Sequence, residues 1–383
     1  MLVLLLSKII KFSVSILLLI IIFQASVANG KLHKVTPIMT LSDFCCDPWS
    51  LSFSPDGKTL VSGTGGYDNV EIIFWNVSSG EIISSPAAHL SSVYSVIYAP
   101  DGSIVASAAG TYDHYIRIWN ASTYTKISEI YHETANIYAL TFLNDSQTLI
   151  GNLDSNLVYW NVSSGNIISN IPAHEKTIKS LALTNDYKIL ATGSHDTIKL
   201  WNTSTGLEIK KILTNHTMEI RSLAFSPDRK LLVSGSMDNT IKLWNVSSGE
   251  EMMTLTGHIW PVDAITFSPN GKYIISGSAD SNIKIWRVED GEDLLTITEH
   301  KDNIAFLTLS PDGSMLASSS VFSDDEILLW DVEELLTEAD NLSTSSSSIS
   351  SSTKTSTTPG FSGVVFVFSF SVIILILGLK RKK

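Results

Sequence analysis

The sequence predicts an all-β fold of seven similar four-stranded units, and three registered ladders of residues predict it. Tryptophans recur at Trp75, Trp119, Trp160, Trp201, Trp244, Trp286 and Trp330, with separations of 44, 41, 41, 43, 42 and 44 residues. Six histidines, His89, His132, His174, His216, His258 and His300, each stand 27 to 30 residues before a tryptophan. An aspartate precedes every tryptophan by five to seven residues: Asp68, Asp113, Asp154, Asp196, Asp238, Asp280 and Asp324. A period of this length marks repeated supersecondary units, each too small to bury its apolar face alone.

Each period contains the signals for four strands. In the fifth, the runs IRSLAF, LLVSGS, TIKLW and EMMTL are separated by Ser226-Pro227-Asp228, by Met237-Asp238-Asn239 and by NVSSG. Short alternating apolar runs broken by Asp, Gly, Pro and Asn are the chemistry of an antiparallel meander.

On these residues the region 36–336 resembles the WD-repeat family, whose units are the four-stranded blades of a β-propeller. The resemblance implies a seven-bladed WD-repeat β-propeller over residues 31–336. The Trp-Asp pair itself survives only at Trp330-Asp331; five blades carry Trp-Asn and the sixth Trp286-Arg287. The family further implies a buried chain of hydrogen bonds in each blade through His, a hydroxyl, Asp and Trp. Blade five offers His216, Ser234, Asp238 and Trp244 for it, and blade four His174, Thr192, Asp196 and Trp201. A buried imidazole needs a partner for each ring nitrogen, which such a chain supplies. The recurrence of a His-Asp-hydroxyl set around the ring also argues against catalysis by it, because an active site is not repeated from blade to blade. Blade one has Phe44 in place of the histidine and blade three lacks a clear hydroxyl, so both are expected to be looser.

Blade seven ends at Trp330-Asp331 with no fourth strand after it, while Met39-Thr40-Leu41 matches Met253-Thr254-Leu255 of blade five in register. The N-terminal segment is therefore expected to close the ring as the outer strand of blade seven, leaving no unpaired inner edge.

The resemblance also assigns the loops to faces: those bearing the His and Asp ladders to the top, the Ser-Pro-Asp-Gly turns and the turns after Trp to the bottom. Eight N-x-S/T sequons occur, at Asn76, Asn120, Asn144, Asn161, Asn202, Asn215, Asn245 and Asn341. Six of them fall on the bottom, and all five Trp-Asn blades carry Ser two residues on, where the other two carry Glu289 and Glu333. That pairing favours glycan acceptors over turn-forming asparagines, given a translocated chain. The top face is left for a partner. One ladder there reads Trp49, Tyr94, Tyr138, Lys179, Arg221, Asp263 and Ala305; a second contributes Tyr67, Tyr112, His195 and Met237. Aromatic and Arg side chains are the usual anchors of binding hot spots, although several of these rings could instead pack into the channel.

The ends have a different character. Residues 1–28 read as a secretory signal: Lys8 and Lys11, the apolar run Phe12–Phe23, then the small residues Ser26-Val27-Ala28. The apolar Leu2–Leu6 before the lysines leaves open an uncleaved anchor. Residues 337–360 read as a Ser/Thr-rich solvated stalk, with too little apolar surface to fold. Phe361–Leu379 is 19 residues without a charge, enough to span a hydrocarbon core of about 30 Å as a transmembrane helix, and the basic residues 380–383 place that end in the cytoplasm. The order stalk, Pro359-Gly360-Phe361, apolar helix, basic tetrad is similar to the sorting tails of archaeal surface proteins, in which an archaeosortase cuts near that motif and transfers the protein to a lipid. A plain single-pass anchor explains the same residues.

A net charge of −12 argues against a nucleic-acid partner, which needs clustered Lys and Arg. The two cysteines, Cys45 and Cys46, are neighbours, so they form neither a disulfide framework nor a zinc site, which leaves a buried thiol beside an ordinary one, a vicinal disulfide or an intermolecular bridge; no metal or cofactor motif stands elsewhere. The expected function is a cell-surface scaffold that binds a protein or peptide on its top face and is not an enzyme. The alternative is an extracellular sugar-binding receptor or propeller enzyme acting at the channel mouth, where only Asp263 stands out as a carboxylate.

Overall fold

The computed structural model describes residues 35–42, 47–66, 70–110, 112–132, 136–322 and 326–351, with side chains to residue 342. It holds seven antiparallel sheets arranged as the ladders require. Blade five consists of Ile220–Phe225, Leu231–Ser236, Ile241–Asn245 and Glu251–Leu255, paired in that order from the inside outwards. The other blades repeat the pattern. In blade one the outer strand is split into Ile82–Ser84 and Ala87–His89, on either side of Pro86, which lacks an N–H for the ladder. Inner strands of successive blades pack side by side around the ring, and the inner strand of blade seven packs against that of blade one.

Closure follows the expected route. Met39–Leu41 pairs antiparallel with Ile327–Asp331, register Met39 to Leu329 and Leu41 to Ile327. The Ile38 N–H donates to the Leu329 carbonyl at 2.8 Å, extending the ladder by one bond. The match to blade five reaches the packing. Gly80 and Gly291, both at positive φ, sit in the bottom turns of blades one and six. A Cβ on Gly80 would collide with Met39 Sδ, and one on Gly291 with Met253 Sδ. Methionine and leucine of an outer strand thus pack against the turn glycine of the next blade in both places.

The core is built between blades rather than within them. Each of the seven blade tryptophans is at most 3 % exposed. Trp244 packs with Ile198, Leu200 and Ile220, which mixes blades four and five, and Trp286 packs with Val233, Leu243 and Leu255, which mixes five and six. Each sheet therefore buries both faces against neighbours, which gives near-continuous apolar runs such as Ile274-Ile275.

One expectation is corrected. Residues 337–351, the first part of the stretch read as a solvated stalk over 337–360, belong to an α-helix, Val332–Ser351, and residues 352–360 lie outside the described residues. Asp331 caps it, its Oδ1 accepting from the Glu334 N–H at 2.9 Å, and Glu333 and Glu334 stand in the first turn, where a carboxylate is favoured. Val332, Leu335 and Ala339 are buried on one side, with Leu336 and Leu342 against them, and Tyr273 Oη donates to Asp340. Their seat is the edge of blade six. Leu294 there is 2 % exposed, whereas its register equivalents Ile38, Ile83, Ile127, Ile168, Ile209 and Met252 are 40–57 % exposed. The serine-rich composition concealed the helix because its stability comes from this packed apolar side, not from propensity. The compact unit that holds the propeller ends at Ser343; of the unit 344–383 only the backbone of the last helical turns is described.

Among the described residues no helix is long and apolar enough to cross a membrane. The signal segment 1–28, the apolar run 361–379, the basic residues 380–383, Phe44, Cys45, Cys46, Tyr67, Asp68, Ser323 and Asp324 lie outside the described residues.

Candidate interaction surface

The blade networks fix the loops of the top face. In blade five, His216 Nδ1 lies 2.8 Å from Asp238 Oδ2, its Nε2 lies 2.9 Å from Ser234 Oγ, and Trp244 Nε1 donates to the same Oγ at 3.0 Å. The serine accepts from the indole and donates its single proton to Nε2, which leaves Nδ1–H for the carboxylate. Asp238 also accepts from the Thr217 N–H at 3.0 Å, so it ties the loop after the histidine to the turn between the middle strands. Blade two repeats the set with His89, Ser107, Asp113 and Trp119, and blade six with His258, Ser276, Asp280 and Trp286. Burial alone would raise the Asp280 carboxyl; the bonds from His258 and from the Ile259 and Asn282 N–H groups hold it at about 2.

Blade four departs from the reading. His174 Nε2 meets Thr192 Oγ1 at 2.7 Å and Trp201 Nε1 donates to Thr192 at 2.9 Å, as expected. Asp196, however, is exposed and makes no bond to the imidazole; His174 Nδ1 lies 3.0 Å from Thr197 Oγ1 instead. The reason is spacing. Gly193 pairs with Ile198 here and Gly235 with Ile241 in blade five, so the blade-four turn is one residue shorter and the aspartate falls outside the blade. Burial, with the charge of Lys199, pushes His174 down to about 4.

Blade three also departs, in the direction expected. Gly151 occupies the register of Thr192 and Ser234, so Trp160 Nε1 is buried with no acceptor. Trp160→Phe should therefore cost less than Trp244→Phe by about 1 kcal/mol, the net value of the bond that only Trp244 makes. Urea denaturation of the two variants measures this, and equal losses would mean that the Trp244 bond contributes nothing.

On the top face the first four members of the first ladder form a continuous wall at the channel mouth. Trp49 meets Tyr94 edge-on at 5.8 Å, Tyr94 stacks on Tyr138 at 5.3 Å with 23° between planes, and Lys179 Nζ lies 3.6 Å from the Tyr138 centroid. Arg221 Nη2 reaches Met237 Sδ at 2.9 Å. Gly65 and Gly110 give the rings room, since a Cβ on either would strike Trp49 or Tyr94. The tyrosines are half-buried in this stack rather than openly displayed, because each ring covers its neighbour's face. Tyr112, expected beside them, stands apart at 80 % exposure with no ring contact to either. His195 is half-buried at the blade-four turn, and Asp263 follows Arg221 in the ladder with burial pushing its carboxyl up.

Five exposed apolar side chains of this face escaped the sequence reading: Leu90, Met218, Ile259, Trp260 and Phe322. Four of them follow a ladder histidine by one or two residues, so His plus one and His plus two was the signal that could have found them. Phe322 extends the wall, meeting Trp49 edge-on at 5.7 Å.

The bottom face carries the sequons after Trp. Thr148 pairs with Asn161 and Ile189 with Asn202, so the turns after Trp and those between the first two strands share one end of each blade. Asn76, Asn202 and Asn245 each accept at Oδ1 from the hydroxyl and N–H of the serine two residues on. Asn120 accepts from Ser122 and Thr123 N–H groups, and Asn161 from Ser164. These are Asx turns, which account for asparagine in the turn; the bonds go to Oδ1 and none of them to Nδ2. Asn144 is exposed in a bottom turn, Asn215 on a top loop and Asn341 on the helix.

Comparison with known families agrees with this geometry. Residues 35–70, 80–120, 165–202, 207–245, 249–287 and 291–331 match the family described as WD domain, G-beta repeat. The gap at 121–164 contains most of blade three, the blade whose hydroxyl is replaced by Gly151. No curated protein matches the chain.

Proposed function

From the premise that the chain belongs to the WD40 family, whose propellers generally bind proteins or peptides, we propose that it is an interaction scaffold that takes a protein or peptide on its top face. The carrying observation is the wall Trp49–Tyr94–Tyr138–Lys179, with exposed Trp260, Ile259 and Phe322 on the same face and the sequons after Trp on the other. Sugar binding, the alternative, needs free ring faces. Here Tyr94 covers one face of Tyr138 and Lys179 lies over the ring, so the wall offers edges and polar tips, which suit a polypeptide. Nothing in this reading requires catalysis: the His-Asp-hydroxyl sets are buried and bonded to the blade tryptophans.

A partner captured with the full chain is expected to lose about fivefold or more in affinity to Tyr94→Ala, Tyr138→Ala or Trp260→Ala, the usual cost of truncating an interface aromatic. Asn161→Gln and Asn245→Gln on the bottom leave affinity unchanged. The opposite pattern would put the partner on the bottom face.

The same proposal places the propeller at the cell surface, outside the cytoplasm, glycosylated on its bottom and held by the C-terminal segment. The signal-like start and the basic end support it. Protease added to intact cells is expected to remove the propeller; its full protection would refute this placement.

A further inference from the structure

We propose that the channel mouth reads an acidic side chain of an extended peptide, held by Lys179 and Arg221 beside the aromatic wall. This rests on the top-face reading above and goes further by naming what is recognised. Donors exceed acceptors at this mouth. Lys179 has the Tyr138 ring against it at 3.6 Å and, among the described residues, no carboxylate within 4.0 Å. Arg221 has one carboxylate nearby, Glu219 at 3.4 Å, and its Nη2 is otherwise turned to the sulfur of Met237 at 2.9 Å. Arg221 Nε and Trp49 Nε1 are both buried with no acceptor.

The one acidic member of the ladder does not offset this. Asp263 makes no ion pair within 4.0 Å among the described residues, and burial disfavours its charged form more than the Arg221 charge favours it. Lys179 and Arg221 occupy matching positions in adjacent blades, and the Arg221 charge is felt at Tyr94, across the same mouth. Two half-buried cations on one rim, of which only Arg221 has a carboxylate within 4.0 Å among the described residues, make a site for an added anion, and such charge-assisted bonds are the strong ones. The chain as a whole carries −12, so its long-range field repels acidic partners and the selection is local.

The test is an array of random 12-residue peptides, amidated at the C-terminus, with a duplicate array carrying free C-termini, probed with the full chain in detergent. The expected result is enrichment of Asp or Glu next to an apolar residue on the amidated array. Changing that acid to Asn or Gln should weaken binding tenfold or more, and affinity should fall as salt rises. Lys179→Met and Arg221→Gln remove the acid preference, while Lys179→Arg retains it; unchanged melting of each variant shows that the fold persists. Peptides lost on Tyr94→Ala or Trp260→Ala but showing no acid preference, or one indifferent to Lys179 and Arg221, would overturn this inference and leave the top-face function standing. Binding confined to free C-termini would overturn the side-chain occupant in favour of a chain terminus. Absence of any peptide whose binding depends on Tyr94 or Trp260 would overturn the top-face function itself.

Discussion

A chain that begins at Asp43 is expected to melt on the order of 5 °C or more below one that begins at Lys31, or to aggregate, because it opens the ring. The shorter chain loses the outer strand of blade seven and with it Leu41, which is 1 % exposed, and Val35, which is 5 % exposed in the cluster with Leu294 and Trp330. Burying one such side chain stabilises by about 1.5–3 kcal/mol. At this size 1 kcal/mol corresponds to roughly 2–4 °C. The strand also covers the edge of Ile327–Asp331, whose free N–H and C=O groups would otherwise be a template for another chain. Equal melting of the two chains would show that closure does not depend on Met39–Leu41.

Asp238→Ala is expected to cost on the order of 1–3 kcal/mol, because it takes the carboxylate from the Nδ1 of a fully buried His216, leaving only the longer contact to Thr240 Oγ1 at 3.2 Å, and frees the Thr217 loop. Asp196→Ala, at the same step of the ladder in blade four, is expected to cost within about 0.5 kcal/mol of nothing, as exposed substitutions do. Denaturant midpoints of the two variants against the parent chain measure the contrast. Similar losses would mean that Asp196, not Thr197, serves His174.

The ladders made the blades legible because they are chemical, not merely apolar. A tryptophan with a buried indole N–H, a hydroxyl to receive it and an imidazole beyond it recur at fixed spacing because one hydrogen-bonded chain needs them at fixed spacing. Closure was legible for the same reason: Met39-Thr40-Leu41 repeats the packing pattern of Met253-Thr254-Leu255 against a turn glycine. The missing hydroxyl of blade three was readable too, since Gly151 leaves Trp160 without its acceptor.

What the sequence could not decide depends on distances between blades and on single-residue register. Counting back from Trp201 gave Asp196 the role that a turn shorter by one residue hands to Thr197. Ladder positions named Tyr94 and Tyr138 as neighbours, but only the angle between adjacent blades makes them stack and half-bury each other, while Tyr112 stands clear. Composition assigned 337–360 to a stalk; the helix exists because Leu294, Leu295 and Tyr273 of blade six offer an apolar seat to Val332, Leu335 and Ala339. The sequence by itself determined the repeat, the number of blades and the strand that closes them, because local hydrogen-bonding chemistry sets these. Tertiary structure alone decided which side chains remain free for a partner, because exposure is fixed by what a neighbouring blade or helix covers.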